Sequence, residues 1–599
     1  MVRWRRGSSD SPRIRPGLCL RVGTGIYARP FAPRGGADPI QFPQDRMMNV
    51  AQVTAEILKR EGVEVLFTYP LNPLTESAAA VNIRPIVVRQ ERVGVHMADA
   101  MSRMTSGDKV GVFCCQVGPG IENAFGAVAQ AWSEAVPLVV IPGGYPRNGA
   151  FVKPNFNAVL NFQHVTKHAE TVNTPEQLVP ALRRAFSFAR NGRPGPVLIE
   201  IPTDLWNVEV PGEIDYQPRR RALSAPHAGA IDRAAAALVN AKMPLIYAGQ
   251  GVHYAKAWDE LKAVAELLEA PVTTSLEGKS AFPETHALSL GSGGVAMPRA
   301  VAAYVEESDL VFGAGASFSA TNFGIKFPTR NKTFIHNTNE PMDIDKNIPT
   351  DHALVGDSKL ALGMLYEALR ERLKKPRGLT SQVAARIKEL NEPWWKEWLP
   401  RLTSQEKPLQ PYRVIWEFLH LTDVANTIVT HDAGSPRDEL SPFWKSVTPL
   451  SYIGWGKSTH LGYGLALAMG AKVAKPDKLC VNFWGDAAIG MTGMDFETCV
   501  RSDIPILSIL FNNFSMAMEF KVMAVSKEKF RSTDISGNYS EFAKALGGYG
   551  ERVTEPGQIV QALRNGIAAT REGRPALLEF ITTQEKVYST FQGGYHGGA

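Results

Sequence analysis

The sequence predicts an α/β protein made of three doubly wound parallel-sheet domains. Three observations carry that expectation. At 599 residues the chain is too long for one hydrophobic core. From Met47 onward, amphipathic helical stretches alternate with short apolar strands. A polar, proline-containing linker and a charged helical stretch cut this alternation into three runs.

The first run, 47–210, opens with "NVAQVTAEILKREG", an amphipathic helix closed by Gly62, and continues into the strand "VEVLFTY". "KVGVFCCQ" and "VPLVVIPGG" are further strands, and "PGPVLIEIP" (194–202) reads as the last strand of this domain. The linker "PGEIDYQPRRRALSAPHAG" leads to a second domain, 225–375, with "MPLIYAGQG", "APVTTSL", "LVFGAGA" and "KTFIHNT" as its strands. A charged helical stretch around 362–400 precedes a third domain, 405–590, which begins near "PYRVIWEFL".

The net charge of +6 lies entirely in residues 1–46, which hold nine Arg, no Lys and three Asp. The remainder carries 56 basic residues (65 less 9) and 56 acidic ones (59 less 3), so the body is balanced and no nucleic-acid partner is expected. The extension is aperiodic and rich in Arg, Pro and Gly. It is expected to be disordered or non-native, a start placed too far upstream, with a transit peptide or a basic arm as the functional alternatives. No run of 18 apolar residues predicts a membrane span. Five cysteines without metal-ligand spacing point to the cytoplasm.

"GWGKSTHLG" (454–462) suggests a nucleotide phosphate loop, but that pattern needs a Gly five residues before the Gly-Lys glycine, and Ser451 stands there. The chemistry is clearer in "KLCVNFWGDAAIGMTGMDFETCVRSDIPILSILFNN" (478–513). "GDAA" turns at the end of one strand, "MDFETCVRS" is a helix, and "IPILSILF" is the next parallel strand. Asp486 ends one strand and Asn512 and Asn513 end the next, so all come out on one sheet edge, where ligands of such sheets bind. A carboxylate and an amide oxygen there form a hard-oxygen site for Mg²⁺ that leaves positions for phosphate. Alone, the Asp would read as a helix N-cap and the Asn pair as a turn. Their pairing across one strand–helix–strand unit favours the metal.

This segment resembles the thiamin-diphosphate signature, Gly-Asp followed one strand later by Asn-Asn, with Ala487 where many members have a second Gly. The resemblance covers about residues 47–585 and is weakest in the middle. It implies pyrimidine-binding, central and diphosphate-binding domains. It also implies Mg²⁺ held by Asp486, Asn513 and the main-chain oxygen of Ser515. Gly485, Ala487, Ala488 and Met516, with Gly434 and Ser435 of "DAGSPRD" (432–438), would touch the cofactor. In "THLGYGLALAMGAK" (459–472), Leu461 would prop its two rings and Gly462 would give clearance. "IRPIVVRQERVGVHMADAMSRMTSG" (83–107) resembles the family's strand-then-Glu pattern, with Gln90 where many relatives have His. Glu91 would be the catalytic residue, hydrogen-bonded to N1′ of the aminopyrimidine in the other subunit's site. A homodimer or a dimer of dimers follows. "CQVGPGIENAFG" also resembles the first domain, and Gln116, Lys457, His460 and Met518 are candidate substrate contacts.

Within the family the chain is most similar to the acetolactate synthase group, which implies a 2-oxo acid decarboxylase or carboligase. The alternatives are a 2-hydroxyacyl-CoA lyase or an oxalyl-CoA decarboxylase acting on an acyl-CoA, and a catalytically silent thiamin-diphosphate-binding paralogue. CoA-using relatives tend to carry a Tyr behind the Asn pair. Here "FSMAMEF" has Ala517, and Met516 and Met518 resemble acetolactate synthase. The adjacent His pair of pyruvate decarboxylase is missing. Glu91, Asp486 and Asn513 together speak against silence. "GAGASFSATNFG" (313–324) lacks the Arg- and Asp-rich stretch expected for a flavin, so FAD, ADP or CoA in the central domain stays open.

Overall fold

The computed structural model describes residues 47–519 and 522–592; the expectation for 1–46 lies outside them. Three six-stranded parallel sheets form the body. The first contains β1 (Val65–Tyr69), β2 (Arg84–Val87), β3 (Gly111–Cys115), β4 (Leu138–Gly144), β5 (His168–Thr171) and β6 (Pro196–Pro202). The second contains β7 (Pro244–Ala248), β8 (Val272–Thr274), β9 (Ser289–Ser292), β10 (Leu310–Ala314), β11 (Thr333–Thr338) and β12 (His352–Val355). The third contains β13 (Thr427–His431), β14 (Tyr452–Ile453), β15 (Leu479–Gly485), β16 (Leu507–Asn512), β17 (Tyr549–Val553) and β18 (Ala576–Ile581).

The first sheet runs β2-β1-β3-β4-β6-β5 and the third β14-β13-β15-β16-β18-β17, the same order counted within each. The second runs β12-β11-β10-β7-β8-β9, the order of dinucleotide-type sheets. All pairings are parallel, so helices must cover both faces and the central strands read as continuous apolar runs. The strand at 196–202 is not at the sheet edge, because the short, half-polar β5 adds beyond it. The stretch after Asp486 also differs from a turn followed by one helix. Asp486–Thr492 is helical from its first residue, Gly493–Asp495 forms a tighter turn, and Phe496–Arg501 resumes. The break is anchored by Asp495, whose Oδ1 accepts hydrogen bonds from Thr498 Oγ1 (2.9 Å) and the Arg89 main chain (2.7 Å).

The first and third domains share one apolar core, which runs from Phe67 and Phe113 through Met97 to Trp455, Met469 and Trp484. At its centre the helix Glu91–Met104 crosses the helix Tyr463–Ala474. The crossing is close at Gly470, where an added Cβ would lie 2.4 Å from the Met97 carbonyl oxygen. Among the described residues no helix is long and apolar enough to cross a membrane.

Candidate active site

The pairing of β15 with β16 sets Gly485 opposite Phe511, so both chains leave the sheet at the same level. Asp486 and Asn513 are the residues that emerge. Asp486 Oδ2 accepts the Ser515 main-chain N–H at 3.1 Å, and Asn513 Oδ1 accepts the same N–H at 3.0 Å. Two side-chain oxygens converging on one donor are necessarily neighbours. Asp486 also accepts the Ala487 N–H at 2.9 Å, and burial pushes its carboxyl up to about 6. Asn512 is spent elsewhere, donating to the buried Glu579 at 2.7 Å. Ser515 Oγ is buried with no hydrogen-bond partner. Among the described residues no group of three His, Cys, Asp or Glu side chains is placed for a metal. The donors at this edge are one carboxylate, one amide and the serine oxygens. That set fits Mg²⁺, which binds through one or two carboxylates and takes its other oxygens from phosphate and water.

A cavity of about 450 Å³, of a size that takes a cofactor or small ligand, opens above this edge. Gly434 and Ser435 line it after β13, and Gly485 to Ala488 after β15. Asn513, Ser515, Met516 and Met518 line it after β16, with Leu461 from the loop between. It sits where the connection from β13 goes one way and that from β15 the other, the switch point at which doubly wound sheets bind ligands. Gly462 stands just behind Leu461 with φ +89°, and a Cβ there would lie 2.9 Å from Thr492. Asp432, not singled out from the sequence, ties this loop to the end of β13. Its Oδ1 accepts the Gly462 N–H and its Oδ2 the Gly464 N–H, both at 2.9 Å. Burial pushes its carboxyl up to about 6.

Besides Gly462, four candidates do not line the cavity. Lys457 lies at a second, narrower cavity of about 90 Å³ at the switch point of the central sheet, beside Gly249, Gly315, Tyr247 and Phe318. The Gly456 and Lys457 N–H groups are held there by Glu134 Oε1, at 3.1 and 2.8 Å. His460 packs inward, its Nε2 2.7 Å from Arg92 Nη2 and its main-chain N–H on Gln130 Oε1 at 3.0 Å. Burial and the Arg92 charge push its imidazole down to about 4, so the ring is neutral. Gln116 is exposed ahead of the helix Pro119–Ser133. Glu91 begins its helix as predicted, 4% exposed, accepts from Asn123 Nδ2 at 3.3 Å, and is raised above the usual carboxylate range by burial. It is not on the cavity wall of its own chain, although the neighbouring Arg92 donates to the Leu461 carbonyl at 2.7 Å. The wall also contains Phe323, Thr459 and Glu439, and Tyr588 stands behind Ser435; none of these four was singled out from the sequence.

Three stretches match models of thiamine pyrophosphate enzymes: the N-terminal TPP binding domain over 48–165, the central domain over 231–365 and the C-terminal TPP binding domain over 432–580. The chain belongs to the thiamine pyrophosphate enzyme family. Its relatives include the probable acetolactate synthase large subunit of Methanococcus aeolicus, 30% identical over 89% of this chain and 92% of that protein. The acetolactate synthase large subunit of Parasynechococcus marenigrum is 31% identical over 84% and 83%. Isozyme 3 of Escherichia coli, also a large subunit, is 29% identical over 90% and 96%.

Proposed function

We propose that the chain is a thiamin-diphosphate- and Mg²⁺-dependent 2-oxo acid decarboxylase and carboligase of the acetolactate synthase kind. The observation that carries this reading is the convergence of Asp486 and Asn513 on one N–H at the mouth of the cavity. In it, Asp486, Asn513 and Ser515 would hold Mg²⁺, and the ion would take its remaining oxygens from the diphosphate. Gly434, Ser435 and Gly485 to Ala488 let the backbone approach closely, and Leu461 and Met516 supply apolar support. When bound, the cofactor supplies the carbanion chemistry next to a carbonyl; the protein supplies binding, orientation and exclusion of water. Glu91 would exchange a proton with the aminopyrimidine nitrogen, a task suited to a carboxyl raised by burial. Because Glu91 is off the wall of its own chain's cavity, the reading assigns it to the cavity of a second copy in a dimer.

The central cavity is not called upon. It is lined by Gly249, Gly251 and Gly315 and by the stacked rings of Tyr247 and Phe318, 5.6 Å apart, and the reading assigns no FAD, ADP or CoA to it. The test is Glu91→Gln, followed by NMR exchange of the C2 hydrogen of the bound cofactor for deuterium. Thiamin diphosphate binding should persist while the exchange is lost. Exchange at the wild-type rate would remove Glu91 from the mechanism.

A further inference from the structure

The 450 Å³ cavity has a wall that the metal clamp does not use. It is built by the short helix Ser435–Leu440 and backed by the chain around Tyr588. Glu439 lies on it, 3% exposed, and its Oε2 is buried with no hydrogen-bond partner. The nearby cations are paired, although Arg437, which lines the same wall, keeps its Nη1 buried without a hydrogen-bond partner. Arg437 gives Nε and Nη2 to Asp438, each at 2.7 Å, with its guanidinium carbon 4.1 Å from the centre of the Phe323 ring. Arg401 pairs with Glu585 at 3.2 Å. Ser435 Oγ and Tyr588 Oη hydrogen-bond each other at 2.8 Å. Burial, then the Glu585 and Asp438 carboxylates, push the Glu439 carboxyl well above its ordinary range. Tyr412 and Tyr588, which face the same group, are pushed further up and stay neutral, and Glu519 lines the cavity beyond. Burial and two neighbouring carboxylates thus favour the protonated form of Glu439, which has an O–H to give.

A 2-oxo acid presents only acceptors, two carboxylate oxygens and one keto oxygen. A wall that binds it must offer donors, and an ionised carboxylate would repel it. We propose that Glu439 is the specificity-determining residue of this cavity, donating its carboxyl O–H to an oxygen of the 2-oxo acid. A carboxylic acid kept neutral by an apolar site is an established way to make a hydrogen-bond donor. This inference rests on the functional reading above and names the residue that selects its substrate class.

The test uses the full chain loaded with thiamin diphosphate and Mg²⁺, with oxamate as an unreactive 2-oxo acid mimic titrated by calorimetry. Glu439→Leu should weaken oxamate by about tenfold or more and raise KM for pyruvate more than it lowers kcat. Thiamin diphosphate affinity should not change. Glu439→Gln keeps the shape and an N–H donor, and should recover most of the oxamate binding. In the infrared difference between wild type and Glu439→Gln at neutral pH, a carboxylic acid carbonyl band should appear and move when oxamate is added. This readout needs no turnover and does not depend on the Leu variant folding. Wild-type oxamate affinity in Glu439→Leu, equal loss in the Gln variant, or a band that oxamate does not move would each overturn the inference while leaving the functional reading intact. A wild-type protein that binds no thiamin diphosphate would overturn both.

Discussion

Gly462 shows how closely the loop behind the cavity is built. Its φ of +89° is open to glycine and strained for other residues, and its missing Cβ makes room for Thr492, whose Oγ1 donates to the Gly462 carbonyl at 2.9 Å. Gly462→Ala should cost about 1–3 kcal/mol, seen as a lower melting temperature, and should shift Leu461 enough to weaken cofactor binding. An unchanged melting temperature would contradict the strain. At this scale the sequence was legible where chemistry is local. Asp486 and Asn513 sit at the ends of two sequential parallel strands, so their meeting could be reasoned from topology alone. Glu439 and Tyr588 could not be found that way, because the segment around Tyr588 reaches the cavity only through tertiary packing. Lys457 and His460 looked available because they lie in the run that leads up to Leu461. Glu134, Gln130 and Arg92, contributed by the first domain, turn them away.

The loop 454–462 connects three domains, and its latch is Glu134. This carboxylate is wholly buried, accepts two main-chain N–H groups of the loop, and has Oε2 unpartnered. Burial and the Glu277 carboxylate push it up to about 7, against the opposing pull of Lys457 and Arg103. A carboxyl raised on folding contributes fully below its ordinary range and loses that contribution as pH climbs through the folded value. Glu134→Gln keeps the acceptor oxygen and removes the titration. Wild type should therefore lose about 1–3 kcal/mol relative to the variant between pH 5 and pH 8, measured by denaturant melts at both. Asp432 and Asp486 are raised too, but they are common to both proteins and cancel in the difference. A pH-independent difference would mean that Glu134 does not titrate in this window. Among the elements, long apolar strands and strongly amphipathic helices were readable. Short edge strands such as β5 and β14 were not, since four half-buried residues or two residues carry too little periodicity.

Across the whole molecule, the first and third sheets repeat one strand order around a shared core while the central sheet uses another. The α/β class and the division into three runs were visible as alternation of patterns. The contact between the first and third domains was not, because nothing along the chain marks one amphipathic helix as the partner of another. Gly470 is an instance: it reads as an ordinary helix glycine until Met97 is found against it. If Glu91 serves the cavity of a second copy, mixing Glu91→Gln with Asp486→Ala subunits, each inactive alone, should restore about a quarter of wild-type activity after re-association. Complete silence of the mixture would place both residues in one chain's site.

The central claim is that Asp486 and Asn513 clamp a divalent ion against a diphosphate. The direct measurement is calorimetric titration of thiamin diphosphate into the purified chain, with Mg²⁺ and with EDTA, for wild type and Asp486→Ala. The account predicts saturable binding that requires Mg²⁺ and disappears in the variant. Binding that survives both EDTA and the loss of Asp486, or no binding to wild type in Mg²⁺, would contradict it.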